Sequence, residues 1–240
     1  MNNLIHGDCL KEMDNIPDHS IDMVLCDLPY GTTRNTWDKP LPLNQLWEHY
    51  NRVCKLNACI ALFSQPPYIA DIIKSNPKDF RYEWIWVKTS ATGFLNVNKM
   101  PLKSHENILI FYKKLPTYNP QMVKGELHKR SKGGNRQSSN YLCNYTSTTS
   151  WSDEYYPTDV LEFKRETGLH PTQKPVPLLE YLIKTYTQVG DTVLDNCMGS
   201  GSTGVAAYNL DRNFIGIELN LDHFTTAKNR LKIGENPCRF

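Results

Sequence analysis

The chain has 240 residues, of which 40% are apolar and 22% are charged, so it can bury a full core as one domain with an insert. Its formal net charge of +2 excludes a strongly acidic or strongly basic protein. It has no run of about 18 apolar residues, and the N-terminal stretch MNNLIHGDCL shows neither the basic start nor the cleavage site of a secretory signal. We therefore expect a cytoplasmic protein that does not bind membranes.

Short apolar runs and helical periodicity alternate through the first half of the chain. They predict a strand, a helix, a second strand, a short helix and two further strands. These lie at residues 20–26, 43–56, 58–63, 68–74, 82–87 and 107–112. Trp84 and Trp86 have the same parity in one strand, so they are expected to share a buried face. This β-α-β order is typical of a sheet covered by helices.

The segment 114–168 differs in composition from the rest. It contains Gly133 and Gly134, a Ser/Thr/Asn-rich run at 138–152 and scattered basic residues, without firm periodicity. We interpret it as an inserted module.

Regular patterning resumes at Pro175. It predicts a helix from that residue, a strand, a glycine loop, a helix, a strand and a last helix, with the later elements at 192–195, from 202, 214–218 and 221–232. Short, wholly apolar strands that alternate with helices predict an α/β fold with a doubly wound, mostly parallel sheet.

The glycine loop is the first motif that indicates a ligand. Gly199, Gly201 and Gly204 fit the pattern G-x-G-x-x-G between a strand and a helix, and Glu218 follows at the end of the next strand. Such a loop lets a ligand approach the backbone, and an acid at the next strand end can accept hydrogen bonds from ribose hydroxyls. We expect an adenosine-like cofactor here, the alternative being a tight turn without a ligand.

The stretch VLCDLPYG carries chemistry at the end of the first predicted strand. Asp27 and Tyr30 follow the apolar run directly, although glycine or asparagine alone would make a turn. Only 36 residues follow Gly204, so the other strands of the sheet must come from upstream, as in a circularly permuted domain. Asp27 then lies at the same sheet edge as the glycine loop.

Three motifs in this order resemble one enzyme family. DLPYG at 27–31, HPTQKP at 170–175 and VLDNCMGSGSTGVAA at 193–207 are similar to motifs of the S-adenosylmethionine-dependent DNA amino-methyltransferases, in the permuted order of the beta class. The resemblance covers 1–113 and 169–240, and it implies a Rossmann-like catalytic domain. Residues 114–168 then correspond to the family's target-recognition region.

The resemblance implies catalytic roles for Asp27, Leu28, Pro29 and Tyr30. The Asp27 carboxylate and the Leu28 carbonyl would accept hydrogen bonds from the exocyclic amine of a flipped-out base, while Tyr30 would stack on the base. Family members more often read D-P-P-Y. Leu28 keeps the carbonyl of the replaced proline, so we expect activity to survive.

The resemblance also implies a set of cofactor-binding residues. Asp8 would lie near the adenine, Thr172 and Lys174 near the methionine carboxylate, and Asp195 near the methionine amine. Cys197 belongs to an Asn-Cys pair that replaces the usual Pro-Phe, which affects the expected affinity. The full predicted set is Asp8, Cys9, Asp27, Thr172, Lys174, Asp195, Cys197, Gly199, Gly201, Gly204, Glu218 and Leu219.

Double-stranded DNA is the expected partner, and the charge distribution agrees with it. Residues 78–136 hold twelve Lys and Arg against four Asp and Glu, although a solvated charged face would look the same. We expect a mobile loop to neutralise phosphates through Lys124, Lys129, Arg130, Lys132 and Arg136. The aromatic residues around this region could stack on bases, but most of them are expected in the core. They are Trp84, Trp86, Phe94, Tyr112, Tyr118, Tyr141, Tyr145 and Trp151. Similar enzymes form dimers, so a homodimer is one expectation.

The seven cysteines show no CxxC pair and no zinc-ligand spacing, so we expect reduced thiols and no metal site. Adenine N6 is the favoured target because cytosine-N4 relatives usually carry serine in place of Asp27. Cytosine N4 stays open, as do methylation of RNA or of glutamine side chains, a nicotinamide oxidoreductase and a catalytically silent DNA-binding relative.

Overall fold

The computed structural model describes residues 2–31, 39–132, 148–166 and 173–231. Within these ranges the chain forms ten strands and six α-helices. The strands are β1 (Asn2–His6), β2 (Ile21–Asp27), β3 (Cys54–Ser64), β4 (Phe80–Thr92), β5 (Lys103–Phe111), β6 (Val123–Lys132), β7 (Thr148–Tyr155), β8 (Val160–Phe163), β9 (Thr192–Asp195) and β10 (Asn213–Glu218). The helices are α1 (Cys9–Glu12), α2 (Leu43–Val53), α3 (Tyr68–Ser75), α4 (Val176–Tyr186), α5 (Ser202–Asn209) and α6 (Leu221–Leu231). Among the described residues, no helix is long and apolar enough to cross a membrane.

Eight strands form one sheet in the order β1-β10-β9-β2-β3-β5-β4-β8. Strand β5 runs antiparallel to both of its neighbours, and the other pairs are parallel. This confirms the predicted mostly parallel α/β fold. Strand β9 comes from the C-terminal part of the chain and pairs with β2 in the middle of the sheet, with Met23 opposite Val193.

Helices cover both faces of this sheet. The residues of β2 alternate between the two apolar layers: Met23 and Leu25 pack with α4, α5 and α6, whereas Val24 and Cys26 pack with α1, α2 and α3. Because both faces are buried, the strand needs apolar side chains at successive positions, which explains its continuous apolar run. Trp84 and Trp86 are buried together on the α4 face, as their parity predicts.

The structure contains strands that the sequence did not predict. Strand β1 is polar at its start and pairs with β10 at the edge of the sheet. Strands β6, β7 and β8 lie within the segment 114–168, where no firm periodicity indicated regular structure. Their many exposed polar residues give no apolar alternation, and that alternation is the usual sequence signal of a strand.

Residues Pro120–Thr158 form a compact unit of their own. It contains β6 and β7, an antiparallel pair with Lys129 opposite Trp151. The flanking residues belong to the larger unit, and β8 pairs with β4 in the main sheet. The unit is therefore shorter than the predicted insert 114–168, and its role in target recognition stays a prediction.

Candidate active site

A cavity of about 560 Å³ opens at the edge of the sheet where β2 and β9 end. This volume lies within the range of roughly 300–1,000 Å³ that is typical of small-molecule sites. The pairing of β2 with β9 brings together two segments about 170 positions apart in the chain, so Asp27 and Asp195 line the same cavity. In a doubly wound sheet, ligands bind in a crevice at this edge.

Most of the residues predicted from the sequence meet in this cavity. The described lining includes the four residues predicted as catalytic and most of those predicted to bind the cofactor: Asp8, Cys9, Asp27, Leu28, Pro29, Tyr30, Lys174, Asp195, Cys197, Gly199, Glu218 and Leu219. Thr172 lies outside the described residues. Gly201 and Gly204 are described but are not part of the lining.

The three glycines of the loop have different roles. Gly199 has a φ of +52° and open space where a side chain would begin. A Cβ on Gly201 would lie 2.9 Å from the Ala227 Cβ, and one on Gly204 would lie 2.7 Å from the Phe214 ring. Gly201 and Gly204 therefore allow close packing on α6 and β10, whereas the open space at the Cβ position of Gly199 lets a ligand approach the loop.

Polar groups at one end of the cavity fit an adenosine. Strand β1 lies beside β10 with His6 opposite Glu218, which carries Asp8 to the same side of the cavity. Glu218 accepts hydrogen bonds from the N–H groups of Gly199 at 2.9 Å and Asn220 at 2.8 Å. A carboxylate has about four acceptor positions, so Glu218 can still accept bonds from ribose hydroxyls. Asp8 uses one oxygen to cap α1.

Asp195 is a buried acid that supports the turn after β9. Its carboxylate accepts hydrogen bonds from the Thr203 hydroxyl at 2.6 Å and from the Cys197 N–H at 3.1 Å. Burial raises the Asp195 pKa to about 6, against the effect of these hydrogen bonds. An ionised Asp195 offers a counter-charge for an ammonium group, so the residues present fit S-adenosylmethionine.

Asp27 lies at the end of β2 with both carboxylate oxygens bound. The Tyr30 hydroxyl donates to Oδ1, and Lys174 Nζ donates to Oδ2 at 2.5 Å. Burial raises the Asp27 pKa, and the nearby Lys174 opposes this shift. The Lys174 ammonium therefore contacts the predicted catalytic acid. Its predicted role at the methionine carboxylate stays a prediction.

Two further charged residues of this site, Lys88 and Glu106, were missed by the sequence interpretation. Glu106 Oε2 lies 3.1 Å from Lys174 Nζ, and Glu106 Oε1 lies 2.5 Å from Lys88 Nζ. A signal was present: Lys88 shares the parity of Trp84 and Trp86 in β4, so it faces the buried side. Charged residues are rarely buried unless they are paired, so a lysine on the buried side of a strand indicates a charged partner nearby.

The predicted DNA-binding residues lie differently from the expectation. Lys124, Lys129 and Arg130 belong to strand β6, so the prediction that a mobile loop carries them is wrong. Lys124 and Lys129 are exposed, and the Arg130 guanidinium lies 5.1 Å from the centre of the Tyr156 ring. Lys132 ends β6, but its side chain and all of Arg136 lie outside the described structure. Lys88, one of the twelve basic residues counted at 78–136, is buried in an ion pair.

Some of the eight aromatic residues around the basic region are exposed. Phe94 and Trp151 are 67% and 65% exposed.

The five described cysteines carry free thiols, and burial raises the pKa of both Cys26 and Cys54 to about 12. These thiols stay protonated at neutral pH. The described residues contain no cluster of His, Cys, Asp and Glu that could hold a metal ion.

Comparison with known proteins gives the family. The chain is 28% identical over 250 residues to the DNA adenine methyltransferase YhdJ of Escherichia coli K12, covering 97% of this chain and 83% of that protein. The solved complex of M1.HpyAVI with SAM superposes with a TM-score of 0.65 at 22% identity, covering 97% of this chain and 100% of that one. The cytosine-N4-specific PvuII DNA methyltransferase gives a TM-score of 0.71 at 16% identity, covering 100% and 89%.

The family model described as DNA methylase, which covers N6 and N4 enzymes, matches residues 21–229. This range includes most of the main sheet and its helices, together with Asp27, the glycine loop and Glu218. The predicted family, fold and enzyme class are confirmed. The chain belongs to the N6/N4 DNA methylase family.

Proposed function

We propose that the chain transfers a methyl group from S-adenosylmethionine to the N6 amine of adenine in DNA. The observation that carries this proposal is the single cavity shared by Asp27, Gly199 and Glu218. It joins an acid that can accept a hydrogen bond from an amine to a site that fits a nucleoside cofactor. The adenine methyltransferase YhdJ and the solved M1.HpyAVI–SAM complex support the base and the methyl donor.

The residues around Asp27 can compensate for the low nucleophilicity of the amine. Its lone pair is delocalised into the base, so the nitrogen is a poor nucleophile toward the sulfonium methyl that S-adenosylmethionine supplies when bound. Hydrogen bonds to the Asp27 carboxylate and the Leu28 carbonyl would orient the amine and stabilise the positive charge that develops on it. S-adenosylmethionine held by Asp195, the glycine loop and Glu218 would supply the methyl group to the nitrogen and would leave as S-adenosylhomocysteine. Asp27, whose pKa burial raises, is placed to take the proton that the methylated amine loses.

A base inside a duplex cannot enter this cavity, so the target nucleotide must leave the helix, which costs a few kcal/mol. Tyr30 lines the cavity next to Asp27 and can offset part of this cost by stacking. Its hydroxyl is already engaged by Asp27, and its ring lies 5.8 Å from the Tyr68 ring. These contacts hold the Tyr30 ring in place before the base arrives.

Nucleoside analysis of methylated DNA tests the proposal. The purified protein, S-adenosylmethionine and unmethylated DNA should give N6-methyladenine. N4-methylcytosine would instead support the second candidate, which the shape similarity to the cytosine-N4-specific enzyme keeps open. Methylation of RNA, or no methylation at all, would contradict the proposal.

A further inference from the structure

Four charged side chains form a row that continues from Asp27 across the sheet. Lys88 Nζ lies 2.5 Å from Glu106 Oε1, Glu106 Oε2 lies 3.1 Å from Lys174 Nζ, and Lys174 Nζ lies 2.5 Å from Asp27 Oδ2. The side chains of Lys88 and Lys174 are only 7% and 9% exposed. The charges alternate in sign, so the row is neutral as a whole.

The row lies on a face of the sheet that is otherwise apolar. Further along the same two strands, this face carries Trp84 and Trp86 in β4 and Ile108 and Ile110 in β5. Apolar residues at the positions of Lys88 and Glu106 would extend this core. Buried ion pairs are often no more stabilising than apolar residues of similar volume, so stability alone does not explain the pair. Its contact with the catalytic acid indicates a functional role.

Glu106 determines where the Lys174 ammonium can lie. Lysine has a long, flexible side chain with one compact charge, which would move fully onto Asp27 if Asp27 were its one partner. Glu106 attracts the same ammonium from the other side, and Lys88 holds Glu106 in place. The Phe63 ring, 5.0 Å from Lys174 Nζ, limits the remaining space. Lys174 is thereby fixed between two carboxylates, and Asp27 keeps acceptor positions for a substrate amine.

We propose that Glu106, anchored by Lys88, is a positioning residue that acts through Lys174 to hold Asp27 in its reactive geometry. This inference rests on the proposed methyl transfer and adds to it two residues on strands β4 and β5. It requires no contact between Glu106 and the substrate.

The Glu106 charge also affects the protonation of Asp27. The groups that act on Asp27 are Lys174 before α4, Tyr30 after β2 and Glu106 on β5, with Cys26 on β2 and Asp195 on β9 as further neighbours. Burial raises the Asp27 pKa, Lys174 lowers it, and the Glu106 carboxylate raises it. Removing the Glu106 charge should therefore lower the Asp27 pKa, because a repulsive charge is lost and Lys174 is left to Asp27.

Two variants test the proposal, because they should shift the acid limb of the kcat–pH profile in opposite directions. Glu106→Gln keeps the shape of the side chain but loses its charge. It should lower kcat about 10- to 100-fold, change the KM for S-adenosylmethionine little, and move the acid limb of the kcat–pH profile to lower pH. Lys88→Met leaves Glu106 to draw Lys174 away from Asp27, so it should lower kcat and move the acid limb to higher pH. A general loss of stability would not give shifts of opposite sign.

Glu83→Gln is the matched control. Glu83 lies on β4, accepts a hydrogen bond from Asn107 on β5 at 2.8 Å, and does not line the cavity. It should keep the wild-type kcat and pH profile. An equal loss of kcat in Glu83→Gln and Glu106→Gln, or an unchanged acid limb in both Glu106→Gln and Lys88→Met, would overturn the proposal.

A direct titration separates this inference from the proposed function. The Asp27 carboxyl can be followed by carbon NMR in protein labelled at aspartate, with Asp27→Asn identifying its signal. The Asp27 pKa should fall in Glu106→Gln and rise in Lys88→Met whether or not the wild type methylates adenine. If it moves in neither variant, the positioning role is wrong. If the wild type makes no methylated base, the proposed function fails, whereas the titration still tests the positioning role of Glu106.

Discussion

At the scale of single residues, the chemistry of the site depends on Asp27. We expect Asp27→Ala to lower kcat about 100-fold or more, since it removes the acceptor that orients the amine. The affinity for S-adenosylhomocysteine should change little, because the glycine loop and Glu218 stay intact. Steady-state methylation assays and calorimetric titration measure the two effects separately.

The other acid of β2 offers a control for this variant. Asp22, at the opposite end of the strand, pairs with Lys55 at 2.6 Å and accepts a hydrogen bond from the Thr192 N–H at 3.0 Å. Asp22→Asn is expected to reduce stability but to keep the wild-type kcat. A normal kcat in Asp27→Ala would show that Asp27 is not the catalytic acid.

The pKa of Asp195 leads to a prediction of how the binding of the cofactor depends on pH. Its pKa of about 6 means that the carboxylate is charged at neutral pH and becomes neutral in mild acid. A neutral Asp195 no longer attracts the ammonium of the cofactor, so the affinity should fall about tenfold for each pH unit well below that pKa. Calorimetric titrations with S-adenosylhomocysteine across pH 4.5 to 8 measure this change directly.

The Thr203→Val variant tests the direction in which this pH dependence shifts. The Thr203 hydroxyl donates to Asp195 and favours its ionised form, so its removal should raise the Asp195 pKa further. The loss of affinity should then begin at a higher pH than in the wild type. A pH-independent affinity in the wild type would mean that Asp195 does not bind the ammonium.

At the scale of elements, the turn from β9 into α5 combines binding and packing. Gly204→Ala should destabilise the protein by roughly 1–3 kcal/mol, because its Cβ would meet the Phe214 ring and the Leu231 side chain at 2.7 Å. This outweighs the gain of about 1 kcal/mol that alanine normally gives within a helix. Gly199→Ala has no such clash, but its φ of +52° strains a residue with a side chain, so it should cost roughly 1–2 kcal/mol of stability and also weaken cofactor binding. Urea unfolding and cofactor titration of both variants check this division, and an equal loss of cofactor affinity in the two variants would contradict it.

The same elements show what the sequence could predict. Strands buried on both faces, such as β2 and β9, are continuous apolar runs, and the glycine loop between β9 and α5 has a distinctive spacing. Strand β1 could not be predicted in this way, because much of its stability comes from pairing with β10, which is distant in sequence. Strands β6 and β7 have exposed polar residues on both sides, so their composition resembles that of a loop.

At the scale of the molecule, the site depends on contacts between segments that are far apart in the chain. The order of the motifs indicated that Asp27 and the glycine loop meet, since both follow strands that end at the same edge. The row of Lys88 and Glu106 was harder to foresee, because it required the pairing of β4 with β5. The one local signal for this row was that Lys88 has the same parity as Trp86 in the strand. The basic composition around Lys88 favoured an exposed position instead.

The division into two compact units leads to a prediction about the whole chain. All described residues that line the cavity belong to the larger unit, and none lies within Pro120–Thr158. Both ends of a deletion would stay anchored there: the Asn119 N–H donates to the Thr185 carbonyl, and the Asp159 carbonyl accepts from Ile85, each at 2.8 Å. Replacing 120–158 with a short Gly-Ser linker should therefore leave the affinity for S-adenosylhomocysteine within about twofold of the wild type, while binding to DNA weakens strongly.

The basic strand β6 supplies the control for that deletion. Lys124 and Lys129 are exposed, so changing both to glutamine should preserve the hairpin while removing two candidate phosphate contacts. Each lost contact should reduce the slope of log K against log salt by about 0.9, as measured by filter binding over a salt series. If the deletion binds DNA as tightly as the wild type and the double variant keeps the wild-type slope, residues 120–158 are not the DNA-binding region. In that case, the phosphate contacts must come from the basic residues of the larger unit.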